Sequence, residues 1–150
     1  MFFRFEADFV ESLRCIPMVV RYKLDVCGVK LKLAHWHRLS EAQRQELVSA
    51  PSETEAERED YRRRLRDWIW ELTGEYPKDL TVSADWLDET QVPPQIVEEF
   101  PRQGLGGTLS LAQWCRLTPL QRFALLKLSQ PGHENRNFPA ALAEFGLHQP

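Results

Sequence analysis

Three cysteines in 150 residues, Cys15, Cys27 and Cys115, are too few and too scattered to staple a fold. An odd number with no C-x-x-C pair argues against a disulfide framework and a zinc ribbon, and fits a reducing compartment. No run approaches the roughly 20 consecutive apolar residues of a membrane span. The apolar opening Met1-Phe2-Phe3-Arg4-Phe5 is broken by Glu6 and Asp8 before a secretory h-region forms. The expected address is therefore the cytoplasm. A net charge of −3 and a pI near 5.8 draw the chain neither to nucleic-acid phosphates nor to an anionic membrane, so neither is an expected partner. Nucleophile elbow, P-loop and dinucleotide fingerprint are also absent. Gly104-Leu105-Gly106-Gly107 is glycine-rich, but it precedes Thr108-Leu109 rather than following a strand.

What is present is material for a core. Five Trp, eight Phe and a 43% apolar composition exclude a disordered tail. A chain of this size buries roughly 70% of its unfolded surface, enough for one domain over residues 1–150.

The chain also repeats itself. Residues 31–48 align without a gap to residues 109–126, 78 positions later. Leu31, Leu33, Ala34, Trp36, Arg38, Leu39, Gln43, Arg44 and Leu47 reappear as Leu109, Leu111, Ala112, Trp114, Arg116, Leu117, Gln121, Arg122 and Leu125. Upstream the match loosens: Ile16-Pro17 corresponds to Val92-Pro93, Val20 to Ile96, Leu24 to Phe100 and Gly28 to Gly104. Alternation from Met18 to Val26 also suits a hairpin in the first copy. The second copy keeps only the i, i+4 pair Ile96 and Phe100, with Pro before and Gly after, which favours helix in both. Ser40 with Gln43, Ser110 with Gln113 and Thr118 with Gln121 match the capping box. The expectation is an all-α, single compact helical domain built from a duplicated helix–cap–helix unit, residues 16–48 and 92–126, burying equivalent faces around Trp36 and Trp114.

Between the copies a longer helix is expected to start near Ser52, with Glu55 three residues on, and to stop before Gly74. Its apolar face is read as Tyr61, Leu65, Trp68 and Leu72, with Ile69 on the flank. Trp70 projects roughly 180° from Tyr61 at 100° per residue, among Glu59, Arg63 and Arg66 on the charged side. Residues 74–94 form a connector around Trp86-Leu87, and a last helix runs from about Asn137 to Phe145.

Each candidate site also has a plainer reading. Cys27, His35, His37 and Cys115 have metal-ligand chemistry, but residues two apart on a helix do not share a face. The repeat partners of the two histidines are Gln113 and Cys115. No metal and no cofactor is expected. Arg58, Arg62, Arg63, Arg64 and Arg66 suggest phosphate binding, yet Glu59 and Asp60 stand four residues before Arg63 and Arg64 as favourable helix pairs. The polar segment from Leu128 to Pro139 reads as a structural loop in which Asn137 caps the last helix and His133 with Glu134 binds backbone. Its functional reading is a docking surface built from His133, Glu134, Asn135 and Asn137, with Trp70 and Arg66 as a second patch.

Several blocks resemble one family, the conserved nitrate reductase-associated proteins. These are Phe5-Glu6-Ala7-Asp8-Phe9 with Leu13-Arg14-Cys15-Ile16-Pro17-Met18, Val20-Arg21 with Lys23-Leu24-Asp25, Thr118 through Leu125, and Lys127-Leu128-Ser129 through His133-Glu134-Asn135 to Asn137-Phe138. The resemblance spans nearly the whole chain and is weakest from about 50 to 104. It implies an accessory protein of assimilatory nitrate reductase, a molybdenum-cofactor and iron–sulfur enzyme, needed for nitrate assimilation. It supplies no catalytic residues. The reading is a non-catalytic partner of the nitrate reductase catalytic subunit that supports its activity or cofactor assembly. The alternative is a small carrier or enzyme that holds a cofactor or metal through the His133–Asn137 loop, and the lack of a paired acid–base or ligand constellation favours the first.

Overall fold

The computed structural model describes residues 2–10, 12–81 and 85–147, leaving out the side chains of Phe9 and His133. It is predominantly helical and divides into two compact units, residues 1–83 and 84–150, so that each unit holds one copy of the repeat. Unit 1 contains α1 (Ala7–Val10), α2 (Met18–Cys27), β1 (Val29–Lys30), α3 (Leu33–Arg38), α4 (Glu41–Ser49), α5 (Glu55–Thr73) and β2 (Lys78–Asp79). Unit 2 contains a 3-10 turn at Asp85–Leu87, α6 (Pro94–Arg102), α7 (Leu111–Arg116), α8 (Pro119–Leu128), a second 3-10 turn at His133–Asn137 and α9 (Phe138–Glu144).

Helix forms in both upstream segments, as the second copy demanded. Pro17 precedes α2 and Gly28 closes it in the left-handed conformation at φ 74°, which glycine adopts without a Cβ penalty. The alternation from Met18 to Val26 therefore does not make a strand; two-residue β1 lies beyond the helix and pairs antiparallel with β2. Proline at the start of α2 offers no side-chain cap. Glu6 supplies one from upstream: its buried carboxylate accepts from the Met18 amide at 2.9 Å and the Phe3 amide at 3.1 Å.

All three expected capping boxes form, at Ser40–Gln43, Ser110–Gln113 and Thr118–Gln121, with hydroxyl and amide side chains each meeting the other residue's backbone N–H. The long helix corrects the expectation by two residues. Thr54 and Glu57 form its capping box, not Ser52 and Glu55; Ser52 is buried and its carbonyl accepts from Arg58. The buried stripe of α5 is also narrower than expected. Tyr61, Leu65 and Ile69, at i, i+4 and i+8, are fully packed, whereas Trp68 and Leu72 are half-buried on its edge.

The deepest agreement between the copies lies around the two indoles, both completely buried. Trp36 Nε1 donates to the Leu13 carbonyl and Trp114 Nε1 to the Asp88 carbonyl, each at 2.7 Å. The next residue on each helix repeats the move: His37 Nε2 donates to the Arg14 carbonyl at 2.8 Å, and Cys115 Sγ donates to the Glu89 carbonyl at 3.3 Å. Arg44 and Arg122 then cover the indoles, each guanidinium 5.8 Å from its ring centroid. Arg44 donates to the carbonyls of Trp36, His37 and Leu13; Arg122 donates to those of Leu117 and Trp86 and to the Glu89 carboxylate. Arg44 thus ties down carbonyls in the last turn of α3, and Arg122 that of Leu117, the residue that ends α7.

Around this frame unit 1 packs Val20, Leu24, Leu47, Leu65 and Ile69, and the Tyr61 hydroxyl donates to the Leu47 carbonyl at 2.8 Å. Unit 2 packs Trp86 edge-on to Phe123 at 5.2 Å and Phe100 edge-on to Phe138 at 5.7 Å. Replacing Trp36 by Phe leaves a buried carbonyl without its indole donor, so the variant is expected to lose about 1–3 kcal/mol in urea denaturation. An unchanged midpoint would show that the indole bond carries no stability.

Candidate functional site

The residues singled out from sequence fall into two separate settings. In unit 2, Asn135 is committed to internal bonds. Its side-chain amide donates to Glu99 Oε1 at 3.1 Å and to the Leu128 carbonyl at 2.9 Å, and its oxygen accepts from Gln103 Nε2 at 3.0 Å. Glu99 itself is fully buried and also takes Arg102 at 3.0 Å, so the second 3-10 turn is clasped onto α6 and the end of α8. Glu134 and Asn137 are half-buried. Asn137 does not cap α9 with its side chain; the 3-10 turn runs straight into that helix, and its φ of −84° and ψ of −4° lie outside the extended geometry of an N-cap. The side chain of His133 lies outside the described residues. Asn135 is thus a structural clasp, a role that accounts for part of the polar density of this segment.

In unit 1, α5 ends on an exposed aromatic face. Trp70 and Tyr76 are each 49% exposed, yet their rings stack at 4.9 Å and 17°, and the Arg66 guanidinium lies over Tyr76, 4.6 Å from its ring centroid. The spacing explains the column. Arg66 and Trp70 are four apart on one helix face, and Gly74, left-handed at φ 75°, turns the chain so that Tyr76 comes back against both. Trp70 therefore packs on Tyr76, a partner not anticipated from the sequence. The one available signal was an aromatic two residues past the helix-ending glycine.

Charges rim this face. Arg62 bonds Asp79, Arg66 approaches Asp79 at 3.6 Å, and Arg63 and Arg64 both hold Asp60. Those two guanidiniums keep the Asp60 carboxyl below its ordinary range. A cleft of about 310 Å³ opens between Glu59, Arg62, Arg63, Arg66, Asp67 and Tyr76. Glu75, at the start of the return, accepts from His35 Nε2 at 2.7 Å and lies 3.9 Å from Lys32; the His35 hydrogen bond and then Lys32 pull its pKa down.

The two histidines serve different partners, Glu75 and the Arg14 carbonyl, as their spacing required. No group of three metal-ligating side chains occurs among the described residues. Burial pushes the Cys27 thiol up to about 11, which keeps it protonated and unreactive. No helix of the described residues is long and apolar enough to cross a membrane.

A family model described as conserved nitrate reductase-associated protein matches residues 2–145. The chain belongs to that family. The match runs through the region from 50 to 104, where the sequence blocks resemble the family least, so α5 and its aromatic end are part of the family domain. No curated protein and no solved structure matches the chain significantly.

Two outcomes follow for this nitrate reductase-associated protein. Removing the Asn135 clasp with Asn135→Ala leaves buried partners unpaired and is expected to cost about 1–3 kcal/mol by thermal or urea unfolding, where a purely external loop residue would cost almost nothing. Glu57, Asp60, Glu75 and Asp88 all have pKa values held below the ordinary carboxyl range by local hydrogen bonds. Their contribution to stability is complete above that range and is lost as the pH falls through it and through the lowered values beneath it. Urea midpoints should fall over that window, and the fall should be smaller in Glu75→Gln; a flat profile would contradict the assignment.

Proposed function

We propose that this protein is a non-catalytic accessory factor that binds the nitrate reductase catalytic subunit and supports its activity or its cofactor assembly. The observation that carries the reading is the Arg66–Tyr76–Trp70 column on the exposed end of α5. Family membership supplies the enzyme as the partner class, and the column supplies the kind of surface such contact needs. Interface energy concentrates in a few Trp, Tyr and Arg anchors set among polar groups. Here the anchors are ordered before binding, because each side chain is already held by its neighbour, and that lowers the entropy lost on association.

The chemistry elsewhere supports contact rather than catalysis. His35, His37, Cys27, Asn135 and Arg122 are each occupied by a structural bond or buried. The contact is proposed to hold the reductase in a state that accepts its molybdenum cofactor or iron–sulfur centre, or to assist the mature enzyme. Comparing co-purification with the apo and holo forms separates these two.

The direct test of the surface is Trp70→Ala. The variant should keep a melting temperature close to wild type while losing at least about 1 kcal/mol of binding to purified nitrate reductase in titration calorimetry. Equal binding by the variant removes this face, and a matching loss of stability would return Trp70 to a packing role.

A further inference from the structure

The short ladder of unit 1 contains an arrangement that folding does not explain. Lys30 and Lys78 stand directly opposite each other in the antiparallel pair β1–β2, and both are exposed. Residues in that position project to one face with Cβ atoms about 4.5–5.5 Å apart, where like charges oppose pairing. The carboxylate of the ladder itself does not relieve them. Asp79 is the next residue, so it projects to the other face, where Arg62 and Arg66 hold it. Neither the Lys30 nor the Lys78 ammonium has a hydrogen bond or ion pair among the described residues. Lys32 adds a third ammonium, 3.9 Å from a Glu75 carboxylate that His35 already engages. The chain from Val26 to Ser40 contains no acid at all. Next in the chain after Lys32, Leu33, the first residue of α3, is 52% exposed.

We propose that this patch binds an acidic segment of a protein partner, with a carboxylate seated between Lys30 and Lys78 and an apolar side chain near Leu33. The opposed ammoniums are the charge complement of such a segment, and its arrival would relieve their mutual repulsion. The exposed leucine favours a peptide segment over an inorganic anion, which would use no apolar surface. The inference rests on the accessory reading above only for the identity of the partner.

Charge reversal separates binding from folding because the two respond in opposite directions. Lys30→Glu and Lys78→Glu each turn the opposed pair into a cross-strand ion pair, so each variant should melt at or above the wild-type temperature. A labelled peptide of eight glutamates with one central leucine, titrated into the full chain at low salt, should bind each variant at least tenfold more weakly than wild type. Wild-type binding should weaken steeply as salt rises. Equal binding by variants and wild type, or binding no tighter than that of the same peptide with glutamine in place of glutamate, would overturn the proposal. Displacement of the peptide by inorganic phosphate, but not by chloride of equal ionic strength, would also overturn it by assigning the patch to a small anion. A parallel titration with nitrate reductase keeps the two readings apart: a wild type that binds the peptide but not the reductase ends the accessory reading and leaves this one standing.

Discussion

A buried tryptophan whose N–H is anchored on a backbone carbonyl, with an arginine laid over it, organises each half of this protein. Short helices such as α3 and α7 leave most of their carbonyls unpaired and are marginal in isolation. The Trp36–Arg44 and Trp114–Arg122 clamps solve both problems together. The arginines hold carbonyls at or just past the ends of α3 and α7, while the indoles fasten the preceding chain at Leu13 and Asp88. The equivalence of His37 and Cys115 shows how closely the copies correspond. An imidazole and a thiol make the same bond to the residue after the indole's acceptor, so both are explained by the scaffold without invoking metal or redox chemistry.

Because each unit carries its own clamp, surface beyond the clamp is released for other work, and the two units use it differently. Unit 2 turns its polar segment inward: Asn135, Gln103 and Arg102 converge on buried Glu99, a satisfied network in which each member would be costly to leave unpaired. Unit 1 keeps Trp70 and Tyr76 exposed at the end of α5 and, separately, the lysines on the ladder face opposite Asp79. Large aromatics and like-charged pairs at a surface add little to folding. Their presence together on one unit is the physical basis for treating that unit as the docking half.

Much of this was legible from residue order alone, and the failures have identifiable causes. The gapless match of residues 31–48 to 109–126, the three capping boxes and the exposed setting of Trp70 depend on local spacing, which a sequence displays directly. The choice of helix over strand for α2 came from comparing the copies, since Met18 to Val26 by itself alternates like a strand. The start of α5 was misplaced because Ser52-x-x-Glu55 and Thr54-x-x-Glu57 both fit the capping pattern, and only the fold decides between them. Asn137 was read as a cap because its residue type suits one; the 3-10 turn that continues into α9 gives it a different backbone. Tyr76 on Trp70, Asn135 on Glu99 and Lys30 opposite Lys78 are contacts between segments 6, 36 and 48 residues apart, and neither periodicity nor motif spacing registers those.

The proposal that unit 1 docks the partner, through the α5 column and the ladder lysines, is tested most directly by amide hydrogen exchange of the full chain with and without purified nitrate reductase. The account predicts added protection in the segments that carry these two patches, residues 66–80 for the column and 28–34 for the lysines, with the Asn135 turn already protected in the free protein and unchanged on binding. Protection gained only within residues 85–147, with none in unit 1, would contradict it.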